Sequence, residues 1–216
     1  MRRVTTVLLS LSALAATSAL GAPAVGAAPQ AAPAAVPAGW EKIDGAAELA
    51  RMTEESGDAQ TARAAAAPEP TALAVESARN NKFVATEKTY AAPNTGALRA
   101  RSDVYGGSWE GFTFEWIGEE STFAMKSRAN GLYVAVEKNY TGASQNLLRA
   151  RSTSAAGWER FVLYYNETLD RFAIQSELNG LFVAMENSYT GTLQYALRAR
   201  STDVSGSWEE FNLYTI

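Results

Sequence analysis

The sequence predicts an all-β domain built from three similar four-strand units, and three observations support this class. A five-residue segment, Leu-Arg-Ala-Arg-Ser, occurs three times, at residues 98–102, 148–152 and 197–201. Each copy is followed six or seven residues later by Trp-Glu-x-Phe. Short runs rich in Val, Leu, Phe and Tyr lie between these markers and are bounded by Gly, Asn, Ser or Thr, as strands and turns are. A block of about fifty residues that recurs three times indicates a fold with internal repetition.

Each unit contains four strand-like runs in the same order. In the second unit they are residues 122–127, 132–138, 147–152 and 159–165. Within the third run, small and apolar residues alternate with Arg149 and Arg151, so both arginines are expected on one face of a half-buried strand. A tight turn precedes the second run of each unit, where Asn-Gly, or Asn-Asn in the first unit, suits a residue with positive φ.

About twelve strands in three units are compatible with two closed arrangements. A β-propeller needs about four or more blades, so three units would have to be completed by another chain. A β-trefoil closes with three. We therefore predict a β-trefoil in which the first and fourth strands of each unit form a barrel and the middle hairpins form a cap. The units are assigned to residues of about 73–121, 122–170 and 171–216.

The residues before the trefoil are predicted to have other roles. Two arginines, an apolar run and a region of small residues are typical of a secretory signal peptide, which we assign to residues 1–27. Residues 28–72 form an Ala/Pro-rich and then acidic linker, expected to be flexible and disordered or weakly helical, with Asp44 as the cap of a short helix. The trefoil occupies residues 73–216, and the protein is expected to be secreted and extracellular.

Composition excludes several classes of function. The 216 residues contain neither cysteine nor histidine, which removes disulfides, thiolate nucleophiles, imidazole-based triads and the usual zinc and iron sites. We therefore expect no cofactor, no metal and no catalytic residue. The formal charge is −4, and about −6 once Arg2 and Arg3 are removed, so neither nucleic acid nor an anionic membrane is an expected partner.

The wording of the repeat resembles that of a known family. The second unit reads Ser-x-x-Asn-Gly-x-Tyr-Val-x-x-Glu, then Leu-x-Ala-x-Ser, then Trp-Glu-x-Phe. This pattern resembles fascin-like domains, which are β-trefoil modules associated with actin bundling and also found as secreted bacterial modules. The resemblance covers residues 73–216. Because secreted relatives occur beside glycoside hydrolase domains, it implies carbohydrate binding.

Residues present in all three units are interpreted first as scaffold. The tryptophans and phenylalanines of Trp-Glu-x-Phe are expected to pack in the barrel rather than to serve as sugar platforms. A glutamate at the end of each second strand is expected to contact an arginine on the third strand, as an exposed cross-strand ion pair worth at most about 1 kcal/mol. The scaffold residues are Trp109, Trp158, Trp208, Phe112, Phe161, Phe211, Glu87, Glu137, Glu186, Arg101, Arg151 and Arg200. Ser77, Ser127 and Ser176 are interpreted as turn residues and not as nucleophiles.

Ligand-binding residues are expected in the hairpin loops, where no periodicity buries the side chains. An aromatic face flanked by amides and charges is suited to stacking on a sugar ring. The candidates are Tyr90, Tyr140, Tyr189, Lys88, Lys138, Asn139 and Asn187, with Tyr105 and Tyr195 as candidates unique to one unit. A tyrosine in such a loop is equally compatible with packing against the cap.

Three hypotheses for function follow. The first is a secreted, non-enzymatic module that binds a polysaccharide or another extracellular glycan. The alternative is a module that binds actin or another protein, as in fascins. A hydrolase is disfavoured, because glutamates related by threefold symmetry would lie too far apart for the roughly 5–10 Å separation of a glycosidase pair.

Overall fold

The structure is a computed structural model, and it describes residues 36–54, 70–117 and 121–216. The predicted signal peptide lies outside the described residues, as does part of the predicted linker. Two short elements come first, strand β1 (Glu41–Lys42) and helix α1 (Ala46–Glu54). None of the helices in the described ranges is long and apolar enough to cross a membrane.

Twelve further strands follow, four for each unit of the sequence. Those of the first unit are β2 (Thr71–Ser77), β3 (Lys82–Glu87), β4 (Ala97–Ser102) and β5 (Gly111–Ile117). Those of the second are β6 (Thr122–Ser127), β7 (Tyr133–Glu137), β8 (Leu147–Ser152) and β9 (Arg160–Asn166). Those of the third are β10 (Arg171–Ser176), β11 (Phe182–Met185), β12 (Leu197–Ser201) and β13 (Phe211–Thr215). Two short 3-10 turns, Gly142–Ser144 and Gly191–Leu193, precede β8 and β12.

The first and fourth strands of the units form a closed ring. The antiparallel pairs β2–β5, β5–β6, β6–β9, β9–β10, β10–β13 and β13–β2 return to their starting strand. The middle strands pair as the hairpins β3–β4, β7–β8 and β11–β12. The predicted all-β class is confirmed, and the barrel and its cap use the strands expected from the sequence.

Side-chain alternation explains the barrel core. Phe112, Phe161 and Phe211 begin the inward faces of the fourth strands and are fully buried. The turns before the second strands contain the expected backbone conformation, since Asn81, Gly131 and Gly180 have φ of 52°, 72° and 67°. Local turn chemistry therefore fixes the register of each unit.

The hairpins of the cap are joined to one another by backbone hydrogen bonds that run around the threefold axis. Each third strand donates an N–H to a residue in left-handed conformation in the neighbouring unit. The three bonds run from Ala100 to Tyr195 (2.9 Å), from Ala150 to Gly96 (2.8 Å) and from Ala199 to Asn146 (3.0 Å). A Cβ at Gly96 would lie 2.4 Å from the carbonyl oxygen of Ala150, so glycine is required there.

The described part of the predicted linker packs on the barrel. Strand β1 pairs with β9, and the N–H of Ile43 donates to the carbonyl of Leu163 at 2.9 Å. Trp40, Ile43 and Leu49 are buried. The prediction of a disordered or weakly helical segment rests on the alanines of the helix. It does not account for these three large apolar side chains. Their burial on the barrel stabilises a helix too short to be stable alone.

Candidate functional site

One arginine of each cap hairpin connects two units. We call these residues, Arg99, Arg149 and Arg198, the inner arginines. Their Nε atoms donate to backbone carbonyls of the neighbouring unit, at Gln194 (2.6 Å), Thr95 (2.9 Å) and Gln145 (2.6 Å) respectively. The inner arginines are at most 11% exposed at the side chain. They therefore help to close the cap around its threefold axis.

A buried glutamate in each hairpin holds the inner arginine and a second one. Glu87, Glu137 and Glu186 accept from Nη1 of the inner arginines at 3.2, 2.9 and 3.2 Å. The same carboxylates accept from Nε of Arg101, Arg151 and Arg200, which we call the outer arginines. The sequence predicted exposed ion pairs, whereas the structure buries the carboxylates and leaves the outer side chains 35–38% exposed. Each carboxylate is shared by two guanidinium groups.

The loop tyrosines brace the inner arginines. Nη1 of Arg149 donates to the hydroxyl of Tyr140 at 2.5 Å, and Arg99 and Arg198 make the equivalent bonds to Tyr90 and Tyr189. The guanidinium carbon lies 5.6–5.7 Å from each ring centroid. All three tyrosines are half-buried. Their hydroxyls therefore belong to the cap, and only part of each ring is open to solvent.

The tryptophans do not pack in the barrel core. Trp109, Trp158 and Trp208 are half-buried, whereas the phenylalanines that follow them are fully buried. The tryptophan lies three residues before the inward-facing phenylalanine, ahead of the fourth strand. Its carbonyl accepts from the second strand, at Thr86 (2.9 Å), Val136 (3.0 Å) and Met185 (2.9 Å). The backbone is therefore structural while part of the indole remains accessible.

Cationic side chains lie over these indoles. Lys88 Nζ and the guanidinium carbon of Arg101 are 5.1 and 6.0 Å from the Trp109 centroid. Arg151 lies 5.6 Å from the centroid of Trp158. Over Trp208 the cation is Arg79 of the first unit, at 4.5 Å. We call the outer arginine and the tryptophan of each unit, taken together, a rim site.

The other candidates from the sequence occupy different positions. Lys138, Asn139 and Asn187 are exposed in the hairpin loops. Tyr105 is 39% exposed and follows Val104, which is 70% exposed. Tyr195 packs against the core and has a φ of 61°, so it is part of the cap closure.

The outer arginines are held in place by the buried glutamates. The hydrogen bond to Glu87 is the main cause that raises the pKa of Arg101, and its burial acts in the opposite direction. Among the described residues, the Nη atoms of Arg151 and Arg200 have no hydrogen-bond partner. Each rim site thus presents an indole and an oriented cation. No group of three or more acidic side chains suited to a metal occurs in the described ranges.

Sequence reasoning missed the rim sites as units. Alternation indicated that both arginines of Leu-Arg-Ala-Arg-Ser share a face, but it did not separate an inner from an outer one. The repeat does not identify Arg79 as a functional residue, because its equivalents in the other units are Ala129 and Leu178. The available signal was the position of the tryptophan outside the alternating part of the fourth strand.

Neither a family model nor a curated protein matches the chain. Solved structures do match. A designed threefold symmetric protein, ThreeFoil, has a TM-score of 0.55 at 15% identity, over 67% of this chain and 99% of that one. The Polyporus squamosus lectin, bound to a Neu5Acα2-6Galβ1-4GlcNAc epitope, has a TM-score of 0.53 at 15% identity, over 68% of this chain and 49% of that one.

The Rhizoctonia solani agglutinin gives a similar result, with a TM-score of 0.54 at 12% identity over 71% of this chain and 100% of the agglutinin. A β-trefoil structure named BEL has a TM-score of 0.50 at 13% identity, over 68% of this chain and 93% of that one. At these identities the likeness concerns the fold. Together with the closed ring and the three hairpins, it shows that the chain contains a β-trefoil.

Proposed function

We propose that this protein is an exported, non-enzymatic β-trefoil of the fascin-like kind that binds glycans at the rim sites of its cap. The observation that carries the proposal is the threefold occurrence of a partly accessible indole with a cation lying over or beside it. An aromatic face next to polar groups is suited to a sugar ring, which stacks its apolar face and offers its hydroxyls to the neighbours.

The scaffold supports such a role. Each outer arginine is oriented by a buried carboxylate, and each tryptophan is positioned by a backbone hydrogen bond to the second strand. Preorganised groups lose little conformational entropy on binding. Three equivalent sites on one cap would also strengthen the retention of a polymer whose single-site affinity is weak. The lectin and the agglutinin among the structural neighbours are consistent with this function.

The glutamates of the cap argue against hydrolysis. A glycosidase needs one carboxyl group that gives up a proton and a second that acts as a base or nucleophile. Glu87, Glu137 and Glu186 are buried, and each accepts hydrogen bonds from two arginines. These carboxylates are therefore anchors for the arginines.

The test is retention of the full-length mature protein on insoluble polysaccharides and on a glycan array. We expect the triple substitution Trp109→Ala, Trp158→Ala and Trp208→Ala to abolish retention, since stacking is lost while the barrel phenylalanines stay in place. Tyr214→Ala is the matched control, because Tyr214 is an aromatic residue of β13 that is 41% exposed. Circular dichroism of each variant checks that it is folded.

Two results would contradict the proposal. One is unchanged retention of the folded tryptophan variant on the same glycans. The other is a lack of retention on every glycan together with cosedimentation with filamentous actin, which would identify a protein-binding module instead.

A further inference from the structure

We infer that the ligand of the rim sites is an acidic glycan, in which a carboxylate or sulfate group binds the outer arginine while a sugar ring packs on the indole. This inference rests on the proposed function and specifies the class of ligand. Three features of the cap support it: its charges, the free Nη donors of Arg151 and Arg200, and the buried glutamates that fix the outer arginines.

The charges of each hairpin do not balance. One buried carboxylate faces two guanidinium groups, so each pair of arginines keeps an excess positive charge. A second buried carboxylate follows the tryptophan, as in Glu110, which accepts from the Ser102 hydroxyl at 2.8 Å. A third cation lies over the indole in two of the units, Lys88 over Trp109 and Arg79 over Trp208, and Lys138 occupies the position of Lys88 in the second unit.

Local positive charge on this protein is unusual for its composition, because the whole chain has a formal charge of −4. Two other surface cations have acidic partners of their own. Lys82 forms an ion pair with the exposed Asp103, and Arg51 lies 3.8 Å from Glu48. The rim sites therefore concentrate positive charge on an otherwise acidic protein, which favours an anionic ligand there.

The outer arginines also have donors to spare. Arg151 and Arg200 use Nε to bind the glutamate at 2.5 Å, and their Nη groups have no partner within the described part of the chain. A planar guanidinium with free N–H groups matches the two oxygens of a carboxylate or sulfate. Since Nε is already anchored, little side-chain freedom remains to be lost on binding.

Binding of the full-length mature protein to three soluble polymers of equal length tests the inference. The polymers are dextran, carboxymethyl-dextran and dextran sulfate, which share a backbone and differ in the neutral, carboxylate or sulfate substituent. We expect at least one of the anionic polymers to bind about tenfold or more tightly than dextran. The difference between the two anionic arms identifies the preferred group.

Substitutions separate the rim sites from general attraction. Arg101→Gln, Arg151→Gln and Arg200→Gln together are expected to weaken anionic binding by about tenfold or more, as the loss of charge-assisted hydrogen bonds implies. The control is Arg51→Gln, Lys126→Gln and Arg171→Gln, which removes the same charge from three residues that are not part of the rim sites. It is expected to change binding less than threefold.

The outcomes distinguish this inference from the proposed function. Equal binding of neutral and acidic glycans on the array, with loss in the tryptophan variant, would overturn the acidic ligand and leave glycan binding intact. Equal losses in the two arginine variants would overturn the rim sites as the anionic site. Polyphosphate that binds as tightly as dextran sulfate, with the same dependence on the outer arginines, would show that the sugar is not recognised. A protein that binds no glycan at all contradicts both proposals.

Discussion

The inner and outer arginines of the cap differ in environment although they come from the same five-residue segment. They lie two residues apart on one face of a strand and bind the same glutamate oxygen. Arg149 is 11% exposed at the side chain and reaches the carbonyl of Thr95 in another unit, whereas Arg151 is 35% exposed and lies over Trp158. One position closes the cap, and the other faces solvent.

The difference shows how a repeated sequence can encode both scaffold and site. Distance from the threefold axis decides which groups surround each arginine. Near the axis the neighbouring unit supplies a carbonyl acceptor, and an apolar cluster of Ala97, Leu147 and Ala196 fills the centre. At the rim, Arg151 contacts Glu137 and the indole of Trp158 among the described residues.

The largest effect is expected from removal of an inner arginine. Arg149→Met should lower the free energy of unfolding by about 3–5 kcal/mol, because Glu137 loses a buried partner and the carbonyl of Thr95 loses its donor. Arg151→Met should lower it by about 1 kcal/mol or less, because the lost ion pair is partly exposed. Urea denaturation of both variants measures the difference. Equal losses would show that the two arginines do not divide their roles.

The different roles of the inner and outer arginines could not be predicted from the sequence. Alternation in Leu-Arg-Ala-Arg-Ser was sufficient to place Arg149 and Arg151 on one face, and the repeat was sufficient to predict the ring of strands. The role of Arg149 depends on the carbonyl of Thr95, which lies about fifty residues away in the sequence. The two groups become neighbours only when the three units form the closed trefoil.

Two other features were beyond sequence reasoning for physical reasons. The recurrence of Trp158 beside Phe161 predicts a place in the barrel core. Recurrence shows only that the three tryptophans have similar surroundings, and it does not show how deeply their side chains are buried. Leu49 and Ile43 lie in an Ala-, Gly- and Pro-rich context that suggests a linker. Their burial depends on the surface that the barrel offers to them.

A smaller effect is expected from the tyrosine hydroxyl. Tyr140→Phe removes the bond from Arg149 and the weaker one to the carbonyl of Pro93, and it should cost roughly 1.5 kcal/mol of unfolding free energy. The ring is retained, so retention on a bound polysaccharide should stay within about twofold of the parent protein. A stable variant that no longer binds would move Tyr140 from the cap scaffold to the ligand site.

The smallest effect on stability is expected at Asn187, which occupies the position of Lys88 and Lys138 in the third unit. This residue is exposed, so Asn187→Lys should change the unfolding free energy by less than about 0.5 kcal/mol.

The added charge lies in the loop after Glu186, on the same hairpin as Arg200, and should strengthen the binding of dextran sulfate about two- to fivefold at low salt. The gain should shrink as salt rises, because exposed charges are screened. A matched change away from the cap, Asn212→Lys, would lose the 2.7 Å bond to Glu76, so Thr168→Lys, at an exposed residue in the turn between β9 and β10, is the better control. An equal gain from both lysines would show that the whole surface, rather than the third rim site, attracts the polymer.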